Sequence, residues 1–482
     1  MNLKIVLRSL GMLLVCESLT LLPPTIVSII YKDGDFSAFL FTILLILLFG
    51  IPMALIRPQN YNIFPKDGFA IVALGWILIS FFGAFPFYFS GAIPSFVDAF
   101  FESSSGFTTT GSSLLSEIES LPRGVLFWRS FTHWVGGMGI LVLTIAILPS
   151  MGMGSMQIMK AESPGPIVGK IVPKIGTSAK ILYGIYLGLT LIQILLLILA
   201  GMPVYDSFLH AFGTLGTGGF SNKTLSIGHY NSALIESIIT VFMILSGINF
   251  SLYYFILKRN FKGFFKDQEL RLYLIIMGSG ILLITCNLLF HNYYDSATTA
   301  FRYSSFQVAS IMTTTGYATT DFNLWPMFSK VLLLLLMFIG SCAGSTAGGI
   351  KISRILICFR SLKYSFKRII HPNACYVVRF NGKKVDEQTV LNITTYFFAY
   401  FIVFLLGTLI ISLNNFDMGT TLSSVITTLN NIGPGLELVG PMGNFSSFTD
   451  LSKITFSFLM IIGRVEIYPI LLLLVPELWK RN

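Results

Sequence analysis

The chain is short of charge. Only 11% of its 482 residues are Asp, Glu, Lys or Arg, against 54% hydrophobic, and its mean hydropathy is +0.76. A soluble domain carries about 25% charged residues, so this composition excludes one and leaves an integral membrane protein. Cysteine is scarce too. Cys16, Cys286, Cys342, Cys358 and Cys375 are scattered, odd in number and in neither zinc-ligand nor disulfide-framework spacing. No acid pair or metal-ligand cluster converges near a membrane face, which argues against a polytopic enzyme acting on lipid-linked substrates. Titratable residues inside the spans are few, whereas coupled carriers usually place them mid-membrane. The formal charge of +10 does not amount to a nucleic-acid footprint. Its basic residues sit in short loops, as at Lys258, Arg259, Lys262 and Lys266, or from Lys351 to Lys384, with no continuous basic face. Low-complexity tracts, long linkers and a soluble domain are missing, so a large cytoplasmic regulator is expected on a separate chain. Lys4 and Arg8 begin an apolar stretch, but no small-residue cleavage site follows, and Leu14-Val15-Cys16 has Val where a lipoprotein site needs a small residue. A retained first span is expected.

What the chain does have is a repeat. Thr108-Thr109-Thr110-Gly111 returns letter for letter as Thr313-Thr314-Thr315-Gly316, and Gly216-Thr217-Gly218-Gly219 and Asn430-Asn431-Ile432-Gly433 are drifted copies. The four glycines are 108, 97 and 117 residues apart. Each follows a short, mostly apolar run that has a hydrophobic span before it and another after it. Two of the runs open alike, Asp98-Ala99-Phe100-Phe101 and Asp206-Ser207-Phe208-Leu209.

Spans of about 20 apolar residues cross a bilayer core of about 30 Å. They fall near 5–31, kinked at Pro23-Pro24, and 36–56, a hairpin outside the repeat. The four repeats use 69–89 with 124–148, 181–201 with 233–257, 272–290 with 324–359, and 391–413 with 454–475. The expected fold is an all-α polytopic membrane protein, with four span–pore helix–span repeats around a pseudo-fourfold pore plus the extra N-terminal two-helix hairpin. Its segments are 1–65 for the hairpin, then 66–177, 178–266, 267–382 and 383–482 for repeats one to four. With a cytoplasmic N-terminus, 24 of the 32 Lys and Arg lie inside, the bias expected of cytoplasmic loops. All four Thr/Gly loops then enter from outside.

Non-helical backbone at membrane depth is tolerated only where it is buried in protein or lines a watery cavity. Four such loops on one axis would stack rings of carbonyl oxygens able to replace an ion's hydration shell. Glycine reaches the backbone angles that this needs, threonine adds a hydroxyl, and each short helix points the negative end of its dipole at the loop. No carboxylate ring lines the loops, so the ligands favour a large, easily dehydrated monovalent cation over Ca²⁺ or Mg²⁺. The candidate ion ligands are Thr109, Thr110 and Gly111; Thr217, Gly218 and Gly219; Thr314, Thr315 and Gly316; and Asn431, Ile432 and Gly433.

With these loops in view, the chain resembles the pore-forming subunits of Trk-type potassium uptake systems, TrkH-like, in the Trk/Ktr/HKT superfamily. The resemblance covers the whole chain. Besides the four loops it rests on His133-Trp134-Val135-Gly136-Gly137-Met138-Gly139, Ala161-Glu162-Ser163-Pro164-Gly165-Pro166, Gly344-Ser345-Thr346-Ala347-Gly348-Gly349-Ile350-Lys351 and Gly463-Arg464-Val465-Glu466. It implies one filter glycine per loop, carried here by Gly111, Gly219, Gly316 and Gly433. Relatives with serine at the first of these tend to conduct Na⁺, so glycine implies K⁺ as the transported ion. Loops two and four depart from Thr-Thr-Thr-Gly, so the rings cannot be chemically fourfold. The resemblance further implies a homodimer, a cytosolic nucleotide-binding regulatory ring, TrkA-like, and a bacterial inner membrane. A Na⁺-conducting or proton-coupled carrier is the rival within the same superfamily.

Two features suggest a gate. Four glycines in ten residues, from Gly340 to Gly349, should break the helix they interrupt, at about 1 kcal/mol each relative to alanine. The break lies in the inner half of the membrane beneath the third loop, and the resemblance implies a gating role for Gly344, Ser345, Thr346, Ala347, Gly348 and Gly349. The competing reading is close helix packing through small residues. The string also comes near a phosphate loop, but Ile350 separates Gly349 from Lys351 and the flanks are apolar. Arg464 lies mid-span, where a charge costs roughly 2.5–3.5 kcal/mol. It either packs against a carboxylate such as Glu466 or Glu102 or faces the pore as an electrostatic barrier, which the resemblance favours. Arg129 and His133, one turn apart, read as a buried hydrogen-bonded pair rather than a metal site. His210 is expected against packed protein, and Glu102 either fixes its helix or draws cations to the mouth.

Overall fold

The computed structural model describes residues 1–58, 63–139, 175–374 and 376–479. The inner end of the span expected at 124–148, the Ala161-to-Pro166 string and Cys375 lie outside the described residues. The molecule is a multi-pass helical membrane protein. Two helices, Leu3–Thr20 and Leu22–Tyr31, run on as one N-terminal span that pairs with Phe36–Leu55. Pro23 and Pro24 sit in the first turn of the second helix, where a missing N–H costs nothing. The turn of this hairpin is fastened to repeat one by carboxylates. Asp33 accepts the Arg123 N–H at 2.9 Å, and buried Asp35 accepts the Val125 N–H at 3.1 Å. Both sit at the positive end of helix Arg123–Gly137.

The four repeats follow one plan. Each has a long first span: Pro65–Phe89, Ala179–Leu199 (within helix Ile175–Leu199), Gln268–Phe290 and Glu387–Asn414. Next comes a short helix: Phe96–Phe107, Val204–Gly216, Ala297–Met312 and Met418–Asn430. The first and fourth are capped at their N-termini by side-chain oxygens, from Ser95 and Asp417. Asp417, for example, accepts the Thr420 N–H at 2.7 Å and its hydroxyl at 2.6 Å. Thr420 thereby holds the Asp417 carboxyl below the usual aspartate range.

The second spans differ from expectation. Ten spans were expected, one of them interrupted at 340–349; among the described residues six helices are by themselves long and apolar enough to cross a membrane, namely the hairpin pair and the four first spans. The second spans of repeats two, three and four are each broken, and that of repeat one is described only over Arg123–Gly137. Ala233–Ser246 bends by 97° into Phe250–Leu257. Met327–Ile339 unravels at 340–351 before Ile352–Ile370, and Asp450–Arg464 breaks before Tyr468–Leu473. Only the break in repeat three carried a sequence signal dense enough to foresee.

Packing closes the four units into a cycle. Each second span packs on its own short helix and also on the next: Arg123–Gly137 on Val204–Gly216, Ala233–Ser246 on Ala297–Met312, Met327–Ile339 on Met418–Asn430, and Asp450–Arg464 on Phe96–Phe107. On the basic side, Asn381 and Gly382, at φ +48° and +77°, turn a hairpin pairing Arg379 with Lys384 and Phe380 with Lys383. This is the Asn-Gly geometry of a two-residue β-turn.

Candidate functional site

The short helices end alike. Thr109, Thr217, Thr314 and Asn431 adopt left-handed angles, φ +55° to +57°, a region that few non-glycine residues occupy. The next residue's N–H reaches back five residues: Thr110 to Ser105, Gly218 to Gly213, Thr315 to Ser310 and Ile432 to Thr427, at 2.8–3.0 Å. This is the Schellman closure that satisfies a helix's last carbonyls, and it turns the chain away from the helix axis. The following residues, Gly111, Gly219, Gly316 and Gly433, have φ +82°, +79°, +82° and +99°.

These glycines also touch one another's loops in order. A Cβ on Gly111 would fall 2.0 Å from the Gly218 carbonyl oxygen, on Gly219 2.0 Å from that of Thr315, and on Gly316 2.0 Å from that of Ile432. On Gly433 it would fall 2.8 Å from the Thr110 oxygen, which closes the circuit. All four glycines line one cavity of about 240 Å³, whose charged lining residues are Arg129 and Lys223. The four loops that carry the twelve residues singled out in the sequence are therefore brought together around one centre, with the four glycines on the cavity.

Loops one and three brace themselves with hydroxyls. Thr108 and Thr110 are 2.8 Å apart, as are Thr313 and Thr315, and the Ser105 and Ser310 hydroxyls donate to the carbonyls of Ser112 and Tyr317 at 2.6 Å. Loop four contributes Asn431, whose amide donates to the Thr110 hydroxyl and the Met460 carbonyl, both at 2.9 Å.

Behind loops one and two lies a buried polar stitch. Glu102 accepts from Arg129 at 2.6 Å and from the Ser113 hydroxyl and Leu114 N–H at 3.0 and 3.2 Å. Arg129 donates onward to the Ser221 carbonyl at 2.9 Å and lies 3.6 Å from the centre of the Phe220 ring. His133 bonds the Gly106 carbonyl through Nδ1 at 2.7 Å and accepts the Phe220 N–H at Nε2, 3.2 Å away. His210 bonds the Asp206 carbonyl and the Ser221 hydroxyl at 2.8 and 3.1 Å. Fully buried, Glu102 ties its helix to the loop and has no face to the mouth.

Beneath the ring, the segment 340–351 is held from several sides. The Gly348 N–H donates to the Thr314 hydroxyl at 2.7 Å, joining this segment to the third loop. The Cys342 N–H bonds the Gly247 carbonyl, Phe250 N–H bonds the Gly344 carbonyl, and the Thr346 hydroxyl bonds the Ser246 carbonyl, all at the bend of repeat two. Ser345 closes a local turn on Cys342 at 2.6 Å, and Lys351 donates to the Ala347 carbonyl. Gly349 packs against Gly340, a Cβ there meeting its Cα at 2.8 Å. Arg464 reaches in from repeat four: it donates to the Thr346 carbonyl at 2.7 Å and to the carbonyls of Gly136 and Gly137 at 2.7 and 2.6 Å. The two carboxylates considered for it are engaged elsewhere, Glu102 with Arg129 and Glu466 with Arg354. Sequence reasoning missed Glu269, whose Oε1 accepts the N–H groups of Ala343 and Ser353 at 2.7 and 3.0 Å. Its one signal is an acid in the first turn of an apolar span.

Four helix-and-loop units closed around one centre, on a scaffold of long apolar helices, are the architecture of a multi-pass membrane transport protein. A family model described as a cation transport protein, TrkH, matches residues 35–481. The potassium uptake proteins TrkH of Salmonella typhimurium and Escherichia coli K12 are 40% and 39% identical, with all of each chain covered. The crystal structure of the potassium transporter TrkH from Vibrio parahaemolyticus superposes with a TM-score of 0.89 at 36% identity, again over all of both chains. The chain belongs to the TrkH family.

Proposed function

We propose that this chain is the potassium-translocating subunit of a bacterial Trk-type uptake system, and that its four loops form the selectivity filter. The observation that carries this reading is the closed circuit in which each glycine abuts the next loop's carbonyl. Rigid, neutral oxygens in a ring can replace the shell of a weakly hydrated monovalent ion. The ions are K⁺, held by carbonyl and hydroxyl oxygens at Thr109 to Gly111, Thr217 to Gly219, Thr314 to Gly316 and Asn431 to Gly433. The loops are re-entrant from outside, the N-terminus is cytoplasmic, and the five segments 1–65, 66–177, 178–266, 267–382 and 383–482 are the working units.

Below the filter, the segment 340–351 is the gate. Its carbonyls and N–H groups are bonded to three repeats at once, so a shift in any one of them can draw it from the axis. Arg464 is its clasp and places a positive charge beside the path. The assembly is a homodimer on a cytosolic nucleotide-binding regulatory subunit, TrkA-like, which holds any nucleotide. The test is growth of a K⁺-uptake-deficient bacterium at low external K⁺. The native chain restores growth and Gly316→Ser does not; equal rescue by both would overturn the filter assignment.

A further inference from the structure

We propose that Asp267, Gln268 and Glu269 form a rigid link between the exposed basic hairpin 379–384 and the loop 340–351, so that an acidic protein surface seated on the hairpin moves the loop. This rests on the reading of that loop as the gate.

Three consecutive residues face two ways. Asp267 and Gln268 grip the hairpin. The Asn381 side-chain amide donates to Asp267 at 2.6 Å, its N–H donates to the Gln268 side chain at 3.1 Å, and its Oδ1 accepts the Gln268 N–H at 2.9 Å. Arg360 adds a bond to the Gln268 side chain at 2.8 Å and another to the Arg379 carbonyl. Glu269 grips the loop at Ala343 and the helix that follows it at Ser353, through a single carboxylate oxygen. It is 4% exposed, so water does not compete for those bonds.

The link is stiff. Asp267 caps helix Gln268–Phe290, accepting the Leu270 N–H at 2.8 Å, and Gln268 and Glu269 are its first two helical residues. A displacement of Asn381 is therefore passed along one helical turn to Ala343 and Ser353 with no flexible residue between. At the other end, Arg379, Lys383 and Lys384 are exposed and form no ion pair among the described residues. Three uncompensated cations on a tight turn suit carboxylates on a partner.

The test uses the full chain in proteoliposomes, read as Rb⁺ flux, with poly-L-glutamate as the acidic probe on the hairpin side. Asn381→Ala, which removes two side-chain hydrogen bonds, should change basal flux at least about fivefold, the shift expected when a two-state equilibrium loses one ordinary hydrogen bond. Glu269→Gln, which keeps the accepting oxygen but removes the charge that strengthens its two bonds, should change it in the same direction. The double variant should change it no further than the larger single one. Independent effects that multiply, or no effect of Asn381→Ala, would overturn the link. Asn381 is exposed, so that variant decides the matter even if Glu269→Gln fails to fold. Poly-L-glutamate should shift the flux of the native chain and leave Asn381→Ala and the pair Lys383→Glu/Lys384→Glu unmoved; an equal shift in all three removes the hairpin as the docking seat. Arg464→Ala separates the two claims. If it raises flux while Asn381→Ala does nothing, the gate stands and the link falls; if neither moves flux, the gate reading falls first.

Discussion

In the upper circuit, four glycines share φ between +79° and +99° and each leans on the next loop. Below them, the second spans of repeats two, three and four are interrupted in three ways: a 97° bend, a loop of twelve residues and a break after Arg464. As the proposed filter, the upper elements act together on one ion. On the proposed reading, the lower elements need to obstruct or release the path once, and a single loop from repeat three suffices. Symmetry is kept where the task is shared and abandoned where it is not.

The sharpest way to break this comparison is at the ring. Gly316→Ser places a Cβ 2.0 Å from a backbone oxygen at a φ of +82°, so K⁺ over Na⁺ discrimination should fall by at least about tenfold, the loss of roughly 1.4 kcal/mol of preference. Paired Rb⁺ and Na⁺ uptake measures it. Gly433→Ser meets its neighbour at 2.8 Å and should lose less; an equal loss would mean that shared conformation, not contact, sets selectivity. Next is Arg464→Ala, which removes three bonds to carbonyls. Flux should rise several-fold with selectivity unchanged, and unchanged flux at normal expression refutes the clasp.

Smaller effects are expected where second spans meet the short helices. A Cβ on Gly136 or Gly463 would lie 1.8 Å from the Phe107 oxygen or 2.0 Å from the Leu429 oxygen, both backbone, whereas on Gly247 it would meet the Tyr273 hydroxyl at 2.5 Å. Alanine at the first two should cost about 1–3 kcal/mol of stability, and Gly247→Ala less, since a side chain can yield. Thermal unfolding in detergent ranks them. The smallest change is Asp417→Ala, remote from the ring, at about 1 kcal/mol for a lost cap. Because the Asp417 carboxyl is held below its usual range, its contribution is present above the unfolded pKa and disappears as pH falls through the folded one. The deficit of Asp417→Ala should therefore shrink in acid, with selectivity untouched.

The upper circuit was legible because Thr-Thr-Thr-Gly returns letter for letter and its drifted copies fall near the same period, so four local marks reinforce each other. Thr217 and Asn431 were found that way despite their altered neighbours. The breaks at 247–249 and 465–467 were not, since there the deciding contacts are distant: Gly247 takes its place from Tyr273 and Ser341, and Gly463 from Leu429 and Asn431. Arg464 was noticed for its cost in a membrane, yet its partners, Gly136, Gly137 and Thr346, are more than a hundred residues away. The Asn-Gly turn at 381–382 is local and was overlooked beside the basic tract around it.

One polypeptide supplies all four quarters of the circuit. A heritable substitution in an assembly of identical subunits strikes every quarter together, whereas here it strikes one and leaves three as a mould. That tolerance lets Thr-Gly-Gly and Asn-Ile-Gly coexist with Thr-Thr-Gly, and it gives each face of the opening its own chemistry to refine.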